Sequence, residues 1–198
     1  MSVIGIDTSN STTSIAYFDG EAGVNCSRLL PVIQGELGLR QADAVFAHII
    51  SLPELSGRLF SDIQVDSITA VGVSTRPRAV EGSYMPCFMV GYSHAKLISD
   101  MLGVPLVEVS HQQGHVAASL WSADRLELMD QPHLAWLLSG GTTELLLIEP
   151  EGRNVRCTKI GGTTDISAGQ LIDRTGQLLE LPFSSGKHID ALCKDAGM

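Results

Sequence analysis

Apolar residues alternate with small or polar ones over SVIGIDT and again over TTSIAYFDG, with a polar turn between, the period of two β-strands joined as a hairpin. Ile4, Ile6, Ile15 and Tyr17 are the core candidates, and GVNCSRLLPV adds a third strand. From about Arg40 to Phe60 the period lengthens to that of a helix, with Val45, Ile49 and Leu52 on its inner face and Pro53 expected to kink or interrupt it. SITAVGVST then reads as a short buried strand, YMPCFMVGYSHAKLISDMLG as a long helix ending near Gly103, and PLVEVS as another strand. The order ββ(β)αβαβ predicts a mixed sheet covered by helices, the α/β class.

The pattern then starts again. HLAWLLSGGTTELLLIEPEG repeats the plan of SVIGIDTSNSTTSIAYFDGE: apolar strand, turn rich in small and hydroxyl residues, second apolar strand, acidic glycine turn. Thr12-Thr13 and Thr142-Thr143 fall at equivalent places. Either two hairpins resemble each other by chance or a lobe is duplicated. In a duplicated protein, facing hairpin turns with exposed N–H groups make a cleft suited to phosphates. The organisation read from this is a first lobe at residues 1–130 and the beginning of a second at 131–198.

Composition narrows the function. The 198 residues are 44% hydrophobic and 18% charged, enough to bury a substantial core. Thirteen Lys and Arg against twenty-two Asp and Glu give a net charge of −9, which argues against unaided nucleic-acid binding. Cys26, Cys87, Cys157 and Cys193 lie far apart with no C-x-x-C pair, so free thiols in a reducing compartment are expected rather than a zinc ribbon or disulfides. There is no signal-peptide pattern and no apolar run long enough for a membrane span, and a cytoplasmic protein is the expectation.

Four stretches carry candidate chemistry. In VEVSHQQGHVAAS, a helix N-capped by Ser110 puts His111 and His115 on one face, one turn apart, which is metal-ligand spacing; a surface helix with two polar side chains is the plain alternative. In IDTSNSTTS, Asp7 ends the first strand before a run of hydroxyl side chains, where a carboxylate can hold a divalent ion and the turn can face a polyphosphate or acyl phosphate. LLSGGTTE offers Gly140 and Gly141, whose lack of side chains permits unusual backbone conformations and close approach to a ligand. In GGTTDISAGQLIDRTGQLLEL a glycine turn enters a helix, with Asp165 as candidate N-cap and Asp173 two turns later, placed to accept from ribose hydroxyls; Gly186 in FSSGK closes the segment.

Taken in order, GIDTSNSTTSIA, STRPRAVEGSYMPCFMVGYSHAKLIS, HQQGHVAAS, LLSGGTTELLLIE and AGQLIDRTGQLLEL resemble the catalytic subunit of tRNA threonylcarbamoyladenosine synthase, formerly called O-sialoglycoprotein endopeptidase or glycoprotease. The resemblance implies an actin-like ATPase fold (ASKHA, ribonuclease H-like), here one lobe and the start of the second. It implies that His111 and His115 hold a divalent metal, iron or zinc. It makes Leu137, Leu138, Ser139, Gly140 and Gly141 the loop for a threonylcarbamoyl adenylate or ATP-like nucleotide, with Asp173 and Gly186 at two further substrate positions. The reaction implied is metal-assisted transfer of the threonylcarbamoyl group to the adenosine beside the anticodon, within a complex of partner subunits through which tRNA is met and in which a homo- or heterodimer is expected.

The chain departs from the family at several points. Thr142 stands where histidine is usual, Thr12 where an acidic residue is expected, Arg76-Pro77-Arg78 where the family has Gly-Pro-Gly, and Ser184-Ser185 where it has Pro-Gly. The family's third metal ligand, an aspartate, and a substrate-contacting asparagine have no counterpart before Met198, so a diverged paralogue and a piece of a longer enzyme are both expectations. A non-catalytic scaffold or partner subunit of the synthase complex is one alternative, and an ATP-dependent kinase of the same fold is another. Proteolysis is disfavoured, because Gln112 occupies the place where an H-E-x-x-H peptidase needs its glutamate base.

Overall fold

A computed structural model describes residues 2–31, 39–61, 63, 68–182 and 184–195. The chain divides into two compact units, Met1–Ser119 and Leu120–Met198.

In the first unit β1 (Ser2–Thr8), β2 (Thr12–Phe18) and β3 (Gly23–Leu29) form an antiparallel meander. Helix α1 (Gln41–Leu59) crosses to β4 (Ile68–Arg76), and α2 (Phe88–Leu102) crosses to β5 (Leu106–Ser110). Both β4 and β5 run parallel to β1, which is why each needs a helical crossover, and the sheet order is β3-β2-β1-β4-β5. This mixed sheet with its crossover helices is the arrangement expected of one lobe of an actin-like ATPase fold.

The two faces of the sheet differ in kind. Ile4, Ile6, Ile15, Val71 and Val73 share one face and are buried against Leu52, Leu55 and Leu59 of α1 and Ala95 of α2. The intervening residues Gly5, Asp7, Ser14, Ala16, Gly72 and Ser74 turn to the other face, where they floor an open pocket. Strand alternation therefore separates core from site. Gly91 lets α2 lie close on β1: a Cβ there would stand 2.8 Å from Thr8 Oγ1. The Thr8 hydroxyl accepts from the Gly91 N–H (3.1 Å) and donates to the Cys87 carbonyl (2.9 Å). Gly103, with φ of 63°, ends α2 where the sequence places its end.

Helix α1 departs from its sequence reading in two ways. It continues past Pro53 to Leu59 instead of being interrupted, held by the burial of Leu52, Leu55 and Leu59 on either side of the proline. Its buried face is also set one position earlier than Val45 and Ile49, along Ala44, His48, Ser51, Leu52, Leu55 and Leu59; Ile49 is 49% exposed. The pattern misleads because His48, counted as polar, is wholly buried with both ring nitrogens paired.

Helix α3 (His111–Ser122) follows β5 directly. The second unit holds a short 3-10 helix (Leu126–Asp130), then β6 (His133–Leu138), β7 (Thr143–Glu151) and β8 (Asn154–Gly162) as an antiparallel sheet in the order β6-β7-β8. It ends in α4 (Ala168–Leu178) and α5 (Gly186–Asp195). The β6-β7 hairpin matches the β1-β2 hairpin of the first unit, as the sequence repeat predicts, and β8 adds a third antiparallel strand as β3 does. No helix among the described residues is long and apolar enough to cross a membrane.

Candidate active site

The histidine pair is positioned from the helix cap upward. Ser110 and Gln113 cap α3 reciprocally: the Gln113 N–H donates to Ser110 Oγ (3.2 Å), while Gln113 Oε1 accepts from the Ser110 N–H (2.9 Å) and hydroxyl (3.0 Å). The Gln112 N–H donates to the Pro77 carbonyl (3.0 Å), tying the same turn to the segment after β4. With the first turn held, His111 and His115 line the pocket side by side, their Nε2 atoms 2.9 Å apart and their rings edge-on. Gln112 is buried and is not among the pocket-lining residues.

A third residue completes this cluster. Asp7, at the end of β1, accepts from His111 Nδ1 at Oδ2 (2.8 Å) and from the Ser9 N–H at Oδ1 (3.0 Å). Its burial pulls the carboxyl pKa up, but hydrogen bonding and charge from His111, with Ser74 and the Ser9 N–H, outweigh this and hold it below the ordinary value. The sequence reading has Asp7 hold a divalent ion directly or through water. In the structure each of its oxygens accepts from a protein donor. His115 titrates below the ordinary histidine value, chiefly through desolvation and then the neighbouring His111, with Asp7 opposing. Phe88 packs its ring against His111, centroids 5.9 Å apart.

The turn beside Asp7 is anchored by His48. Since the Ser9 carbonyl can only accept, the contact at 3.0 Å makes His48 Nε2 the donor, and Nδ1 then accepts from the Thr13 hydroxyl at 2.7 Å. Burial holds the His48 pKa down, against the Ser9 carbonyl and the Asp7 charge.

Two imidazole nitrogens bound to one ion at about 2.0–2.1 Å stand about 2.9 Å apart at a right angle and about 3.3 Å apart in a tetrahedral site, so the spacing of the two Nε2 atoms is close to that of adjacent positions on one metal. No group of three or more His, Cys, Asp or Glu side chains arranged to hold a metal is found among the described residues. Two imidazoles fit part of a coordination sphere, the rest of which water, substrate or another segment has to supply.

In the second unit, Leu137 and Leu138 end β6 and Ser139–Thr142 make a tight turn into β7. Ser139 donates its N–H to the Thr142 carbonyl (2.9 Å), and its hydroxyl oxygen accepts from the Gly141 (3.2 Å) and Thr142 (3.0 Å) N–H groups. Neither glycine has a positive φ, so the turn does not require them for backbone conformation. A Cβ on Gly140 or Gly141 would meet nothing within 4 Å, and that openness is what they contribute.

Helix α4 sits on this turn. The Ser167 hydroxyl donates to the Gly140 carbonyl (2.7 Å) and the Gly169 N–H to the Ser139 carbonyl (3.2 Å). The α4 N-cap is Ser167, accepting from the Gln170 N–H at 3.2 Å, and not Asp165, which lies in the turn before it and donates its N–H to Thr163 Oγ1 (3.2 Å). Asp173 Oδ1 accepts from the Ser185 N–H (2.9 Å), which brings Asp173 beside Gly186 at the start of α5.

A family model described as TsaD, tRNA N6-adenosine threonylcarbamoyltransferase, matches residues 40–197. The chain belongs to this family. Relatives named tRNA N6-adenosine threonylcarbamoyltransferase include those of Ralstonia pickettii, 32% identical over 98% of this chain and 54% of the relative, and Thermosipho africanus, 31% identical over 98% and 57%. The chain spans about half the length of the curated relatives it matches. Solved structures similar to it include YeaZ from Pseudomonas aeruginosa (TM-score 0.48, 9% identity, 85% of this chain and 68% of that one) and the ROK hexokinase of Thermus thermophilus (0.46, 15%, 92% and 65%).

Proposed function

We propose that this TsaD-family chain serves metal-assisted threonylcarbamoyl transfer to tRNA, with His111 and His115 as metal ligands. The observation behind the reading is the Nε2-to-Nε2 spacing of 2.9 Å, two imidazole nitrogens presented together into an open pocket from one capped helix turn. A bound divalent ion, iron or zinc, would supply Lewis-acid polarisation of the carbamoyl carbonyl.

The chain's own residues bind and orient. Leu137, Leu138, Ser139, Gly140 and Gly141 hold the adenylate, its approach eased by the open Cα faces of the glycines. Asp173 offers its second carboxylate oxygen to ribose hydroxyls while Ser185 fixes the first, and Gly186 leaves room beside it. With its net charge of −9, the chain meets tRNA through partner subunits of a synthase complex.

The test combines the chain with synthase partner subunits, threonylcarbamoyl adenylate and unmodified tRNA, and reads the modified nucleoside by mass spectrometry. Product formed by the chain and lost in His111→Ala supports the reading. Product absent in every combination of partners overturns it.

A further inference from the structure

Asp7 and His111 are 104 residues apart in sequence, yet the crossover through β4 and β5 brings the end of β1 beside the first turn of α3, and Asp7 Oδ2 meets His111 Nδ1 at 2.8 Å. We infer that Asp7 is the positioning residue of the histidine pair: it holds the His111 proton on Nδ1 and so presents the Nε2 lone pair to the pocket. The consequence for metal binding rests on the reading of His111 as a ligand; the tautomer assignment does not.

An ionised carboxylate only accepts, so the proton between Asp7 and His111 belongs to the imidazole. Neutral His111 then has a bare Nε2. In that neutral form the hydrogen bond at 2.9 Å is donated by His115 Nε2–H into His111 Nε2. For both Nε2 atoms to serve one ion, only His115 has to move its proton to Nδ1, while His111 is set in advance. Asp7 is itself fixed by the Ser9 N–H at 3.0 Å on Oδ1, so it orients the ring rather than following it. Partners of this kind on a ligating histidine contribute roughly ten- to a hundredfold in metal affinity.

The experiment records long-range proton–nitrogen spectra of the histidine rings at neutral pH in the metal-free full chain, for wild type, Asp7→Asn and Asp7→Glu, with His111 assigned by its loss in His111→Ala. Thermal melts identify any variant that does not fold. The expected result is His111 protonated on Nδ1 in wild type and on Nε2 in Asp7→Asn, with Asp7→Glu restoring the first pattern. A wild-type His111 protonated on Nε2, or a folded Asp7→Asn that keeps Nδ1–H, overturns the inference. Cobalt titration then separates the two readings. In a wild-type chain that binds cobalt, affinity is expected to fall ten- to a hundredfold in Asp7→Asn and to recover in Asp7→Glu; unchanged affinity overturns the positioning role. A wild type that binds no cobalt but whose tautomer still follows residue 7 leaves the Asp7 assignment standing and removes the ligand reading of His111.

Discussion

His111 and His115 meet through Nε2 atoms 2.9 Å apart, a contact made across a single turn of α3 and held at its base by the Ser110–Gln113 cap. Elemental analysis of the purified chain is expected to find near-stoichiometric iron or zinc, lost in His111→Ala and in His115→Ala. Each substitution leaves one imidazole, too few for a tight site. Circular dichroism of both variants should match wild type, because neither side chain belongs to the buried core. Metal retained in either variant would place the ion elsewhere.

The cap carries its own prediction. Ser110→Ala removes the acceptor for the Gln113 N–H and the donor to Gln113 Oε1 inside a fully buried cap, and should cost about 1–2 kcal/mol in chemical denaturation. It should also weaken metal binding without touching a ligand, since α3 then enters its first turn less well defined. A full-affinity Ser110→Ala would show that the histidine pair does not depend on the cap.

Much of this was legible in the chain. The apolar periods located the strands of both hairpins, Gly103 the end of α2, and the four-residue spacing of His111 and His115 their shared helix face. What stayed hidden depended on contacts between distant segments. The partner of Asp7 could not be read, because sequence shows a carboxylate but not the His111 ring that meets it from 104 residues away. His48 shifted the inner face of α1 by one position, because a buried histidine with both nitrogens paired reads as polar until its partners Thr13 and Ser9 are seen. Ser167 took the cap from Asp165 because its hydroxyl also reaches the Gly140 carbonyl, a tertiary contact that no local pattern contains.

His48 is expected to make the first unit sensitive to mild acid. Its folded pKa lies below the unfolded value of about 6.5, so the unfolded chain takes up the proton first and stability, complete above that pH, falls as pH drops from about 6.5 through the folded pKa. His115, also shifted down, contributes in the same window, whereas Asp7, shifted down from 3.8, acts only in more acid solution. Urea denaturation of wild type and His48→Gln between pH 5 and 7.5 should show a shallower acid loss in the variant, together with a lower stability at pH 7.5 where the Thr13 and Ser9 contacts are disturbed. Parallel curves would assign the acid sensitivity to other groups.

Gly169 is the point at which α4 is pressed onto the glycine turn. A Cβ there would lie 2.6–2.7 Å from Gly140 Cα, the Ser139 carbonyl oxygen and the Gly140 nitrogen, all backbone atoms that cannot swing aside. Gly169→Ala therefore forces the helix and the turn apart, at a cost of about 1–3 kcal/mol, and lengthens the Ser167–Gly140 and Gly169–Ser139 hydrogen bonds that set the turn's shape. Thr175→Ala, on the exposed side of α4 with its hydroxyl donating to the Leu171 carbonyl of the same helix, is the matched control for loss of stability without displacement of the turn. If residues 137–141 hold the adenylate, calorimetric titration with a non-hydrolysable adenylate analogue should show binding weakened in Gly169→Ala and unchanged in Thr175→Ala. Equal affinity in the two would separate the turn from the ligand and confine its role to packing the second unit.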